Sequence, residues 1–294
     1  MRRVWPLTGV VLIVACAASG ADVSSSSTTT STVTTSTMVP TTTTTTMATT
    51  TSTATTTTLD PFARPDWLGT RPLPLRPDGH GEVQPTPPEL QDRRLATIDL
   101  LPPPEHDVYA SSIAPIPPDV LARSSWQEGC PVGVDQLRYL TMVHWGFDGK
   151  THTGEMIVNA DFAEEMTQVF ARLFEAGYPI EQMRVIRLEE IDADPTGDGN
   201  DTTSFVCRPA VGSGSWSYHA YGLAIDVNPF HNPYLKDDLV LPELATAYTD
   251  RETVRAGMIL GGDVVTEAFA DIGWSWGGDW NTLKDWMHFS SSGR

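Results

Sequence analysis

The distribution of hydrophobic and polar residues divides the chain into two parts. The first 105 residues or so show no sustained apolar periodicity, so we expect only the remaining residues, about 190 of the 294, to form a core. That length is sufficient for one domain. The sequence contains no run of 18 or more apolar residues, which argues against a protein with several membrane spans.

Short strands and a few helices are predicted in the second part. Residues 138–145 and 155–158 are rich in strand formers and flank the turn sequence of residues 146–149, which predicts a β-hairpin. Apolar residues then recur at helical spacing over residues 161–175, and Asn159 can cap that helix. The other predicted elements are a strand over 183–191, helices over 242–247 and 262–272, and a terminal strand over 285–289. This mixture predicts an α+β fold.

The start of the chain has the layout of an export signal. Arg2 and Arg3 precede a short apolar stretch, residues 7–15, which is too short to span a bilayer and ends at Cys16. Residues 1–21 are therefore interpreted as a signal peptide, either an ordinary one or a bacterial lipoprotein signal in which Cys16 is lipidated. Both alternatives predict an exported protein, and the second predicts a lipid anchor at the outer face of the bacterial membrane or in the cell wall.

Two low-complexity segments follow the signal. Residues 22–58 are almost entirely Thr and Ser, and such a tract cannot bury enough surface to offset its chain entropy, so a disordered stalk is predicted. Residues 59–106 are rich in proline and are interpreted as a semi-extended linker that can lie along the domain. The folded domain is accordingly placed at residues 107–294.

The cysteine count and the net charge bear on the disulfide bonding and on the partners of the protein. If Cys16 carries a lipid, Cys130 and Cys207 remain as one pair, and an oxidising compartment would let them form a disulfide. Two free buried thiols are the alternative. The formal net charge of −18 repels polyphosphate, so a nucleic-acid partner is not expected. We expect a monomer that contacts a membrane only through the N-terminal lipid.

Two short motifs carry the chemistry. The first runs from Ser217 through His219 to Asp226, and the second from Asp285 to His288. Two imidazoles and one carboxylate form a ligand set typical of catalytic zinc, which keeps three protein ligands and one open position. A further carboxylate three residues before the last histidine suits a general base. From spacing alone, however, a His and an Asp seven residues apart also arise by chance.

Other polar residues have simpler interpretations. His144 and His152 lie on the predicted hairpin and are expected to be structural, whereas His231 follows the first motif and could line the cleft. Residues 192–201 contain four aspartates but lack the glutamate that closes a calcium loop, so a solvated loop is the default and a calcium site the alternative. The tryptophans near the motifs are expected mostly in the core, with one or two walling a substrate groove.

The two motifs together resemble the M15 family of zinc peptidases. The pattern Ser-x-His-x-x-Gly-x-Ala-x-Asp followed downstream by Asp-x-x-His-Phe is similar to that family in order and spacing, and the resemblance extends over residues 108–289. It implies a hedgehog/DD-peptidase-like fold, a small antiparallel sheet with flanking helices. It also implies one Zn²⁺ ion.

The resemblance assigns a role to each motif residue. It implies zinc ligands at His219, Asp226 and His288, and the catalytic acidic residue at Asp285. Many carboxypeptidase members have Glu there, and Asp looks more like the endopeptidase branch. The family's arginine falls on Arg208, which would stabilise the oxyanion or hold a substrate carboxylate. Ser217 is expected to support the site through hydrogen bonding, and the motif Gly-x-Ser-x-Gly of serine hydrolases is absent.

These residues predict a zinc metallopeptidase acting on peptidoglycan stem peptides at the cell surface. The bond cut is either the D-Ala-D-Ala bond of a carboxypeptidase or the L-Ala-D-Glu bond of an endopeptidase. A non-catalytic, metal-containing wall-binding module is the alternative from another class, although an intact Asp285 argues against it. A structural lipoprotein with an accidental motif is the third interpretation.

Overall fold

The computed structural model of the protein describes residues 62–210 and 213–293. The predicted signal peptide with Cys16 and the predicted stalk of residues 22–58 lie outside the described residues. No helix within the described ranges is long and apolar enough to cross a membrane.

A three-stranded antiparallel sheet forms one side of the domain. Its order is β1 (Ser111–Ala114), β2 (Leu137–Trp145) and β3 (Thr151–Asn159), and β2 and β3 are the predicted hairpin with a longer second strand. Helix α2 (Ala163–Glu175) follows, after a 3-10 helix in which the side chain of Asn159 accepts the backbone N–H of Asp161.

The remaining regular elements are short. The sheet that carries the candidate site has the order β6 (Ala224–Asp226), β11 (His288–Ser290), β9 (Ser275–Trp276). A further antiparallel sheet has the order β10 (Lys284–Asp285), β7 (Tyr234–Lys236), β8 (Leu239–Leu241), and β4 (Gln182–Met183) pairs in parallel with β5 (Asp201–Thr202). The other helices are α1 (Pro118–Arg123) and α3 (Val264–Asp271).

The main core lies between these sheets and the helices α2 and α3. Phe170 of α2, Phe269 of α3 and Phe289 of β11 are each almost completely buried, and the last two rings stack with centroids 4.1 Å apart. Burial of aromatic side chains of this size stabilises the fold by roughly 1.5–3 kcal/mol each. The domain is thus a mixture of helices and small antiparallel sheets, compatible with the predicted α+β class. The hedgehog/DD-peptidase-like assignment stays a prediction.

The described part of the proline-rich segment lies along the domain and contributes to a second core. Leu90 and Leu95 are fully buried there, packed in one cluster with Phe230 and Tyr248. Arg93, between the two leucines, is 2% exposed and forms an ion pair with the equally buried Glu181. We call residues 62–106 the N-terminal strap.

Three predicted elements differ from the structure. The strand expected over 183–191 is only β4, because the Arg184 guanidinium is held by Glu190 and Asp201, and this bends the chain into a short 3-10 helix at Leu188–Glu190. Of the helix expected over 242–247, only a 3-10 helix at Thr246–Thr249 is found.

The terminal strand expected over 285–289 is split into β10 and β11. The two halves join different sheets, since β10 pairs with β7 and β11 pairs with β6. The helix expected over 262–272 is present as α3, which begins after Asp263 because the Asp263 carboxylate accepts the N–H groups of Val265 and Thr266.

Candidate metal centre

Three elements bring the first motif and the second motif together. His219 lies on the 3-10 helix Tyr218–Tyr221, Asp226 ends β6 and His288 begins β11. The antiparallel pairing of β6 with β11 places His288 directly opposite Asp226. Cross-strand neighbours of this kind have side chains within about 5 Å of each other. Sheet register therefore joins residues that are 62 positions apart along the chain.

The turn before β6 depends on a glycine. Gly222 ends the 3-10 helix with φ of 66°, a left-handed conformation that favours glycine. A Cβ at this position would lie 2.6 Å from the backbone N of Asn159, too close for any side chain. The Gly222 carbonyl accepts the N–H of Asn159, so the turn is fastened to the end of β3.

The three side chains converge on one point. The Asp226 carboxylate lies 3.0 Å from His288 Nδ1 and 3.3 Å from His219 Nε2. The two ring nitrogens are 3.2 Å apart. Each residue thus offers one ligand atom, and these atoms all lie within 4.8 Å of one another. In the described ranges this is the one group of three or more His, Cys, Asp or Glu side chains with such spacing.

Hydrogen bonding fixes which atom His219 presents. Its Nδ1 lies 2.7 Å from the carbonyl oxygen of Ser204, so Nδ1 carries the proton and donates it, and Nε2 is left with a lone pair. A backbone carbonyl behind a histidine is the usual support of a metal-ligating imidazole. The carbonyl of Ser204 could not be found from the sequence, because any residue type has one.

The electrostatics favour a cation among these groups. Burial raises the pKa of the Asp226 carboxyl, but His219 and His288 outweigh burial and hold that pKa well below its usual range. Asp226 is therefore an anion beside two ring nitrogens. Two nitrogens and one oxygen match the donors that zinc prefers, and three protein ligands leave one position open. The arrangement fits a metal ion of that kind.

Asp285 lies close to this cluster on β10. Its Oδ1 atom is buried and has no hydrogen-bond partner within the described residues. Burial is the main cause that raises the pKa of Asp285, to about 7; the charge of Asp226 adds to the rise, while His288 and Arg208 oppose it. A carboxyl group that exchanges its proton near neutral pH has the property required of a general acid or base. Its catalytic role stays a prediction.

Arg208 lies in the same cleft as Asp226. The cleft has a volume of about 820 Å³ and extends from Asp226 to the N-terminal strap. We call it the metal-site cleft; its lining includes Thr203, Val206, Arg208, Asp226, Met287, Arg64, Arg93, Glu181 and Arg184.

Arg208 differs from the other arginines of this cleft. Arg93, Arg64 and Arg184 each lie within 4.0 Å of a carboxylate. Arg208 forms no ion pair with the described residues, and its guanidinium donates a hydrogen bond to the carbonyl of Pro209. Its guanidinium is thus available to an anionic group of a ligand.

The predicted disulfide is present and adjoins this arginine. Cys130 and Cys207 are bonded, with their Cα atoms 5.9 Å apart. The N–H of Cys207 also donates to the hydroxyl of Ser125, which is completely buried. The residue just before Arg208 is therefore held by a covalent and a hydrogen bond.

Ser217 supports the site through the backbone. Its hydroxyl accepts the N–H of His219 at 3.3 Å and caps the 3-10 helix that carries this histidine. Trp280 is a contact that the sequence did not single out, since its ring lies 5.5 Å from the ring of His288. In the sequence, only the high density of tryptophans near the second motif indicated that an aromatic ring could lie at the site.

The other histidines considered in the sequence form hydrogen bonds away from the group of His219, Asp226 and His288; they are His144, His152 and His231. His152 bonds to Asp99 and to another aspartate of the hairpin turn. His231 bonds to the carbonyl of Arg93 and to Asn200. Burial lowers the pKa of His144 and of His231 to about 4, so both are neutral structural groups at neutral pH.

The aspartates of residues 192–201 are partly occupied by protein donors. Asp198 accepts the N–H of Gly69 and the hydroxyl of Thr196, and Asp201 binds Arg184. These contacts connect the loop to the N-terminal strap and to Arg184, which directly follows β4. The calcium alternative stays a prediction.

Comparison with known proteins agrees with the resemblance. Residues 211–291 match the family model described as D-alanyl-D-alanine carboxypeptidase. This segment holds His219, Asp226, Asp285 and His288, whereas Arg208 precedes it. The match supports an M15 family peptidase, and therefore a hydrolase whose family acts on peptidoglycan peptides. Neither the curated proteins nor the solved structures gave a significant match to the chain.

Proposed function

We propose that this protein is a zinc metallopeptidase that hydrolyses amide bonds in peptidoglycan stem peptides at the cell surface. The observation that carries the proposal is the convergence of His219, Asp226 and His288 within 4.8 Å, inside the segment matched by the peptidase family model. The family match covers less than half of the chain, so the substrate and the metal belong to the proposal.

The three ligands would hold one Zn²⁺ ion, which when bound supplies Lewis-acid chemistry that activates water and polarises a carbonyl. His219 presents Nε2 because its other nitrogen donates to a carbonyl, and Asp226 contributes the negative charge. Within the described residues the group contains three ligand residues and no fourth His, Cys, Asp or Glu. Three protein ligands suit a catalytic ion, because a structural zinc ion has four.

Asp285 would move the proton. Its buried Oδ1 has no protein donor to satisfy it, so it is free to accept a proton from the attacking water and to return it to the leaving amine. An aspartate that already bonded to an arginine or a backbone N–H would be a much weaker base, because such bonds stabilise the anion.

Arg208 would bind the negative charge that the substrate brings or develops. It has no carboxylate partner among the described residues, unlike its neighbours in the cleft. A planar guanidinium can hold the terminal carboxylate of a carboxypeptidase substrate or the oxyanion of the tetrahedral intermediate. Which of the two it binds separates the D-Ala-D-Ala carboxypeptidase from the L-Ala-D-Glu endopeptidase.

The place of action is also part of the proposal. The predicted signal with Cys16 and the predicted Thr/Ser stalk would carry the domain to the outer face of the bacterial membrane and tether it there. The disulfide supports an oxidising compartment, because such bonds persist outside the cytosol.

The decisive experiment is mass spectrometry of purified muropeptides incubated with the zinc-loaded protein, with and without a chelator. Loss of one terminal D-alanine would establish a carboxypeptidase, and cleavage inside the stem would establish an endopeptidase. In either case the chelator should abolish the cleavage. Folded, zinc-loaded protein that cleaves nothing would refute the proposal and favour the non-catalytic, metal-containing wall-binding module.

Asp285→Asn separates catalysis from binding. We expect this variant to keep its zinc, measured by metal analysis, and to lose at least about 100-fold in kcat, in the range of general acid–base contributions. Asp161→Asn is the matched control, since Asp161 is exposed and neither it nor its neighbours in sequence line the metal-site cleft. If Asp285→Asn stays folded and cleaves as fast as the control, Asp285 is not the base.

A further inference from the structure

A second groove shares no lining residue with the metal-site cleft. It has a volume of about 1010 Å³ and is formed by one face of α3 and the segment that follows it. We call it the tryptophan groove; its main lining side chains are Trp274, Trp276, Trp280, Glu267, Asp279 and Asn281.

The groove presents aromatic surface that is already fixed in place. Trp276 and Trp280 are half-buried, and each indole N–H donates to a backbone carbonyl, of Trp286 at 2.8 Å and of Gly293 at 3.1 Å. The ring of Trp276 also rests on Gly278, where a Cβ would come within 2.3 Å of it. Since the N–H groups are used, these rings offer a ligand their apolar surface, and little side-chain entropy is lost on binding.

The charge of the groove restricts its ligand. The charged side chains of the described lining are Glu267 and Asp279, both acidic and exposed, and this lining contains no Lys or Arg. An anionic ligand would be repelled. Exposed polar groups accompany the carboxylates, namely the amide of Asn281 and the hydroxyls of Ser275 and Thr282.

This combination matches the chemistry of an uncharged sugar. The C–H face of a pyranose ring packs on an aromatic ring, while its hydroxyl and N-acetyl N–H groups donate to carboxylates and amide oxygens. Rigid tryptophans flanked by acceptors provide both kinds of contact.

The tryptophan groove is connected to the candidate metal centre. Trp280 lines the groove and packs against the ring of His288, with centroids 5.5 Å apart. The 3-10 helix Gly277–Asp279 continues this connection, because a Cβ on Gly277 would lie 2.5 Å from the carbonyl oxygen of Asp285. The wall of the groove is therefore in direct contact with His288 and with the segment that carries Asp285.

We propose that the tryptophan groove binds the glycan strand to which the stem peptide is attached, through uncharged N-acetylated sugar rings stacked on Trp276 and Trp280. The inference rests on the proposed function, since it assumes that the substrate is a peptide carried by a glycan. It adds a subsite that selects glycan-linked over free stem peptides.

Two measurements test the inference. The first is titration of the protein with a trimer of N-acetylglucosamine, followed by the NMR signals of the tryptophan indoles. The second compares kcat/KM for one stem peptide, free and linked to its disaccharide. We expect saturable binding of the trimer and about a tenfold advantage of the linked substrate, which corresponds to one stacking contact and one hydrogen bond.

The variants Glu267→Ala and Asn281→Ala should each weaken binding of the trimer and reduce the ratio of kcat/KM between the linked and the free peptide. Cleavage of the free peptide should stay unchanged. Trp276→Leu should abolish both the binding and the advantage. Glu128→Ala, at an exposed glutamate outside the groove, is the matched control.

The outcomes separate this inference from the proposed function. Equal cleavage of free and linked peptides, with no binding of the trimer, would overturn the inference and leave the peptidase intact. If neither peptide is cleaved, the proposed function fails. The titration alone then shows whether the tryptophan groove binds the sugar. Trimer binding that persists in Trp276→Leu, or tighter binding of a cationic peptide than of the sugar, would also overturn the inference.

Discussion

Arg93 of the N-terminal strap provides a sharp test of how the strap is held. Its guanidinium donates two hydrogen bonds to the Glu181 carboxylate, at 2.7 and 2.8 Å, and a third to the carbonyl of Asp198. The side chains of this pair are 2% and 3% exposed. Burial alone would raise the pKa of Glu181, but Arg93 is the chief cause that holds it below its ordinary value.

The perturbation is Arg93→Met, which keeps most of the side-chain volume and removes the charge. Glu181 would then be buried without its main partner, and the loss of one member of a buried ion pair costs about 3–5 kcal/mol. The neighbouring variant Arg94→Met is the matched control. Arg94 pairs with Asp92 at the surface, where the side chains are 43% and 54% exposed, so its loss should cost less than about 1 kcal/mol.

The assay is urea denaturation, with the free energy of unfolding extrapolated to water for the three proteins. Arg93→Lys keeps a charge but not the fork of donors, and should fall between the wild type and Arg93→Met. Equal losses in Arg93→Met and Arg94→Met would refute the reasoning, because they would mean that burial does not distinguish the two pairs.

Three further predictions concern pH, the disulfide and the cleft arginine. The pKa values of His144 and His231 are lowered to about 4, below the value of about 6.5 in an unfolded chain. The unfolded state therefore binds more protons between these values, and the free energy of unfolding should fall by about 2 kcal/mol per histidine from pH 7 to pH 5; a flat profile in urea denaturation would contradict this. The bond between Cys130 and Cys207 closes a loop of 77 residues, so the double Cys→Ser variant should lose about 4 kcal/mol in the same assay, and a loss below 1 kcal/mol would argue against it. Arg208→Lys should lower kcat/KM for muropeptides about 100-fold without releasing zinc. Unchanged kinetics would show that Arg208 does not act in the site.

The resemblance to a known family anticipated that His219, Asp226 and His288 lie together, because two short motifs contain all three residues. His219 and Asp226 lie on one continuous segment whose turn is set by Gly222, and His288 begins the strand that pairs with it. The hairpin and α2 were predictable for a similar reason, since hydrophobic periodicity reports burial within one element.

Periodicity could not reveal contacts made between distant segments. The prediction of a strand over 183–191 was wrong because Arg184 binds Asp201. Nothing in the sequence around either residue indicates that ion pair. The burial of Leu90 and Leu95 was equally invisible, because a proline-rich segment has no amphipathic period.

The long-range bonds of the N-terminal strap have a consequence for the order of folding. Gly81 donates to the Glu243 carboxylate and Thr86 to the carbonyl of Leu244, across 162 and 158 positions of the chain. Contacts this distant in sequence close only after large loops have been ordered, which slows their formation. In a chain that emerges from its N-terminus, whether from the ribosome or from an export channel, the apolar side chains of the strap stay exposed until their partners, up to Tyr248, have also emerged.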